Sequence, residues 1–171
     1  MNIPNMLTII RFLLIPVFCI IYFSNIKYSF FLSMVVFFIA GITDFLDGHI
    51  ARKYNLVTKI GTVLDPLADK LMTLTVLFCL AYRYIIPRWI VAPFLVKELT
   101  MVIGGINLYK YKKVLPANYY GKTATILFYI SIFVLIFNKS IGTYLLYLTL
   151  CATILAFLNY FIHFINIKNN L

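Results

Sequence analysis

Acidic residues are nearly absent from this chain: Asp44, Asp47, Asp65, Asp69 and Glu98 are the only five in 171 positions, against fifteen Lys and Arg. Charge of either sign is scarce at 12%, where a water-soluble domain carries about 25%. Hydrophobic residues make up 63% of the chain, too many to bury in one core of this size, which excludes a soluble fold. Linkers, repeats and low-complexity tracts are lacking as well, so a single domain over residues 1–171 is expected. The three cysteines, Cys19, Cys79 and Cys151, stand far apart without Cys-x-x-Cys spacing and read as packing or lipid-facing hydrophobes. No basic stretch precedes the first apolar run, Arg11 interrupts it, and no small-x-small cleavage site follows, so the N-terminal segment reads as retained rather than as a signal peptide.

What remains is apolar sequence in long runs. Six segments, at about 7–23, 29–50, 61–82, 89–108, 123–137 and 141–165, approach the 20 residues a helix needs to cross a bilayer. The expected fold is all-α and polytopic, with six transmembrane helices joined by short loops. Basic residues in alternate loops are unequal. Arg52, Lys53, Lys59, Lys110, Lys112, Lys113, Lys122 and Lys168 fall on one side, and Lys27, Arg83, Arg88 and Lys139 on the other. The positive-inside bias puts the richer side and both termini in the cytoplasm of a cell-membrane protein. A net charge of +10 would point to nucleic acid in a soluble protein. Beside membrane spans it fits anchoring and anionic lipid instead, and no nucleic-acid partner is expected. Tyrosines such as Tyr82, Tyr84, Tyr109 and Tyr119, with Trp89, sit near span ends and read as an interfacial belt.

Four of the five acids fall within 44–69, in Thr-Asp-Phe-Leu-Asp-Gly-His-Ile-Ala-Arg followed by Gly-Thr-Val-Leu-Asp-Pro-Leu-Ala-Asp-Lys. Asp44 and Asp47 are three apart, and Asp65 and Asp69 four apart, so each pair shares one face of its helix. A short connection lets the two faces meet at the cytoplasmic end of adjacent spans, as helix bundles build carboxylate metal sites. Four carboxylates cannot stay ionised together at low dielectric without compensating cations. Oxygen-only ligands favour a hard divalent ion, Mg2+ or Mn2+, and four carboxylates suffice for two such ions. Two ions suit phosphoryl transfer. Gly48, Ala51 and Gly61 leave room for a ligand or a neighbouring helix, and Arg52 can hold a phosphate bidentately.

The pattern Asp44-x2-Asp47-Gly48-x2-Ala51-Arg52-x8-Gly61-x3-Asp65-x3-Asp69 resembles the signature of the CDP-alcohol phosphatidyltransferase family at every defining position. The resemblance implies a six-helix membrane enzyme in which an alcohol attacks the β-phosphorus of a CDP-activated lipid and CMP is released. It implies that Asp44, Asp47, Asp65 and Asp69 are metal ligands and that Asp69 is also the catalytic general base. It places Asp47, Gly48, Ala51, Arg52 and Gly61 around the CDP diphosphate, and it implies a homodimer.

Asn2-Ile3-Pro4-Asn5-x-Leu7-Thr8-x2-Arg11 is similar to the opening of the family branches that make phosphatidylglycerophosphate or cardiolipin. The expected donor is CDP-diacylglycerol. The expected acceptor is glycerol 3-phosphate, with phosphatidylglycerol as the alternative. A doubly charged acceptor needs cations, for which Arg11, Lys97 and Lys122 are candidates. Lys97 lies within a span beside Glu98, so a buried ion pair is its other reading. His49 and His163 read as structural. An ion or proton pathway is the non-enzymatic alternative, but it would spread acids through the depth of the membrane. Prenyltransfer would need a later acidic motif, and no acid follows Glu98.

Overall fold

The computed structural model describes residues 3–53, 61–110 and 119–169; side chains at 3–5, 47, 49–53, 62–63, 102–110, 163–164 and 166–169 are outside the description. It is all-helical. Its six α-helices are α1 (Ile3–Phe23), α2 (Ser29–Lys53), α3 (Gly61–Tyr82), α4 (Val91–Lys110), α5 (Tyr119–Phe137) and α6 (Lys139–Asn169), with a short 3-10 turn (Arg88–Ile90) leading into α4. Each expected segment becomes one helix, and α2 and α6 extend beyond their apolar stretches. Pro16 and Pro66 lie inside α1 and α3. Each removes one ladder hydrogen bond, a loss that neighbouring helices make tolerable.

Among the described residues, four helices are long and apolar enough to cross a membrane: α1, α2, α5 and α6. The other two carry charge within them, Asp65, Asp69 and Lys70 in α3 and Lys97 and Glu98 in α4. Large apolar side chains cover the outside, among them Leu13, Ile20, Phe45, Ile126, Phe133 and Leu155. Helices apolar all round, showing such side chains in number, belong in lipid, and this is a membrane protein.

The chain divides into two compact units, Met1–Arg83 and Tyr84–Leu171. In the first, α1 packs against both α2 and α3. Phe18, Tyr22, Met34, Phe37, Met72, Val76 and Leu80 fill its interior. Arg83 lies 4.6 Å from the Tyr22 ring centre, at the end where α1 finishes and α2 begins. Cys19 and Cys79 lie against one another between α1 and α3, a contact that their separation in sequence conceals. Both are free, as is Cys151.

In the second unit α5 and α6 form a tight hairpin with α4 against α6. One residue, Asn138, turns the chain: its side-chain Oδ1 accepts from the Ile141 amide at 3.1 Å and so caps α6. The Ser131 and Thr149 hydroxyls, both fully buried, hydrogen-bond across the hairpin at 2.9 Å. Trp89 stacks on Tyr147, and the Tyr160 hydroxyl donates to the Met101 carbonyl.

Candidate active site

Two acids of the first unit, Asp44 and Asp65, are held by a helix that has none. Thr8 and Arg11 lie three apart on α1 and so share a face. Both are 1% exposed. The Thr8 hydroxyl donates to Asp65 Oδ1 on α3. Arg11 Nη1 lies 2.5 Å from Asp44 Oδ1 on α2 and donates to the Asp65 carbonyl at 3.2 Å. Early α1, late α2 and early α3 therefore meet at one end of the unit, which requires α2 to run antiparallel to its two neighbours.

Asp65 and Asp69 act electrostatically on Asp44, as does Lys70. Lys70 Nζ is 3.8 Å from Asp69 Oδ2, a loose contact between partly exposed groups. Asp44 is 38% exposed beside its buried Arg11 partner. Three of the four aspartates that the sequence singles out thus share one neighbourhood. Gly61, at the start of α3, is buried, and Gly48 is half-buried in α2. The side chains of Asp47, Ala51, Arg52 and His49 lie outside the described set, as does that of His163.

Arg11, expected as an acceptor-phosphate residue, has its guanidinium on the carboxylate side of the site. Lys97 and Lys122 belong to the second unit. Lys97 Nζ donates to Glu98 Oε1 at 2.6 Å, and Glu98 is 6% exposed, so this is a partly buried ion pair between sequence neighbours. Lys122 is exposed on the first turn of α5. Thr8 is the residue that sequence reasoning left without a role. A lone hydroxyl in a largely apolar helix, with its partner 57 residues away, gives no signal in the sequence.

A divalent cation suits the chemistry of the donors: Asp44, Asp65 and Asp69 offer only carboxylate oxygens, the ligands of Mg2+ and Mn2+. Among the described residues, no three His, Cys, Asp or Glu side chains form a closed ligand set. The Asp47 carboxylate is outside that description.

A buried threonine and arginine hold Asp44 and Asp65 at the junction of three helices. The sequence profile of CDP-alcohol phosphatidyltransferases matches residues 1–156, and the chain belongs to that family. A CDP-diacylglycerol-glycerol-3-phosphate 3-phosphatidyltransferase of Rickettsia bellii is 35% identical over 163 residues, covering 94% of this chain and 88% of the relative. The protein of the same name in Bacillus subtilis is 36% identical over 141 residues, 72% of this chain and 70% of its own. That of Haemophilus influenzae is 50% identical over a shorter stretch of 76 residues, 44% of this chain and 41% of its own.

Proposed function

We propose that the protein transfers the phosphatidyl group of CDP-diacylglycerol to sn-glycerol 3-phosphate, giving phosphatidylglycerophosphate and CMP. The observation that carries this is the joining of Asp44 and Asp65, on separate helices, through Thr8 and Arg11. It supplies the carboxylate cluster of the family's chemistry, and the relatives' names supply the acceptor. In this reading all six helices span the cell membrane, with both termini and the site on the cytoplasmic side. The lipid donor enters from the bilayer and the water-soluble acceptor from the cytoplasm. The working form is a homodimer.

Asp44, Asp47, Asp65 and Asp69 would hold two ions of Mg2+ or Mn2+. When bound, the metal neutralises the diphosphate and supplies Lewis acidity at phosphorus. Arg52 and the small residues Gly48, Ala51 and Gly61 hold the CDP diphosphate. Asp69 accepts the proton of the acceptor hydroxyl as its oxygen bonds to the β-phosphorus. The bond from that phosphorus to the bridging oxygen breaks, and CMP leaves with the bonding pair.

The test is CMP release by purified protein given CDP-diacylglycerol, Mn2+ or Mg2+, and one acceptor at a time. Release with glycerol 3-phosphate is expected. Release only with phosphatidylglycerol would make it a cardiolipin synthase, and none with any acceptor would overturn the enzymatic reading.

A further inference from the structure

Helix α1 contains no acid, so it contributes no carboxylate ligand, yet it is packed against both helices that do. Two buried polar side chains are aimed from it at the site. Thr8 donates to one oxygen of Asp65, Oδ1, which restrains the rotation of that carboxylate. Arg11 ties the backbone of the same residue to the carboxylate of Asp44. Threonine hydroxyls elsewhere in the chain bond carbonyls of their own helix, as those of Thr75, Thr100 and Thr143 do. Thr8 reaches another helix and meets a charged acceptor, where a hydrogen bond is about twice as strong as between neutral groups.

We propose that Thr8 is a positioning residue: it orients the Asp65 carboxylate for metal binding, with Arg11 setting the distance between Asp65 and Asp44. The proposal rests on the metal-dependent reading above. It assigns to α1 the outer layer of hydrogen bonds around the ligands, whose loss commonly weakens metal binding by about 10- to 100-fold.

The experiment titrates Mn2+ into the purified full-length protein in detergent without substrate, following free Mn2+ by electron paramagnetic resonance. Thr8→Val keeps the side-chain shape and removes the hydroxyl, and Thr8→Ser keeps the hydroxyl. Thr8→Val is expected to bind Mn2+ about tenfold more weakly, while its metal-free melting temperature stays within a few degrees of the parent's. Thr8→Ser recovers most of the affinity. If Thr8→Val does not fold, Thr8→Ala takes its place. Parent-like Mn2+ affinity in the hydroxyl-free variant, or equal weakening in both variants, overturns the positioning role. A parent protein that releases CMP but binds no Mn2+ or Mg2+ overturns the metal reading and this proposal with it. A parent that binds Mn2+ but releases no CMP overturns the enzymatic reading alone, since the Thr8 comparison is read by binding.

Discussion

Arg11 Nη1 stands 2.5 Å from Asp44 Oδ1, joining α1 to α2 by an ion pair with one member fully buried and the other 38% exposed. The same nitrogen carries the link on to the Asp65 carbonyl of α3. A charge in this position has two consequences. It compensates a carboxylate held among other carboxylates, and it makes the geometry of the site depend on a residue far from the acidic motif.

Removing the guanidinium should therefore cost stability as well as activity. Breaking a fully buried pair costs about 3–5 kcal/mol, and partial exposure of Asp44 lowers that to about 2 kcal/mol for Arg11→Met. Adding Asp44→Leu removes the stranded charge. The double variant should recover part of the lost stability in unfolding experiments while releasing no CMP. Equal stability of the Arg11→Met variant and the parent would show that the pair does not hold the helices together.

Asp69 offers a test of the proton acceptor. Asp69→Asn keeps the shape of the side chain and loses the basic oxygen, so turnover should fall by about 100-fold or more. At saturating Mn2+, CDP-diacylglycerol affinity should change much less, which separates proton transfer from the metal and donor binding that Asp69 also serves. Near-normal turnover in Asp69→Asn would move the base elsewhere.

Metal removal should act on the whole reaction. Stripping the purified protein with a chelator should abolish CMP release, and adding Mn2+ or Mg2+ should restore it, because oxygen-only donors suit such ions. Full activity after chelation would mean that the aspartates act without metal.

The six helices were legible because their apolar runs are long and the breaks between them short. The neighbourhood of Asp44, Asp65 and Asp69 was legible because helical spacing puts acids on shared faces, while the Asp47 side chain lies outside the described residues. Thr8 was not, since a single hydroxyl in an apolar run carries no periodic signal and its partner is distant in sequence. The same limit hid the meeting of Cys19 with Cys79 and the hydrogen bond of Ser131 with Thr149. Arg11 was singled out by its charge, but its pairing with Asp44 needed three helices to be placed together. Sequence showed which residues could do chemistry; the packing of α1 shows which side chains hold two of them.

The hairpin of α5 and α6 allows a prediction about stability that is independent of the chemistry. A Cβ added at Gly142 would lie 2.4 Å from Leu135 Cα and 2.6 Å from its backbone nitrogen. Backbone cannot rotate away as a side-chain tip can, so Gly142→Ala must push the two helices apart. Overpacking of this kind costs about 1–3 kcal/mol. Gly121, early in α5, has nothing within 4 Å of the same added atom. Gly121→Ala should therefore be tolerated, or gain up to about 1 kcal/mol from the better helix former. Unfolding of the two purified variants side by side measures the difference. If Gly142→Ala proved as stable as Gly121→Ala, the close approach of α5 and α6 at Leu135 would be wrong.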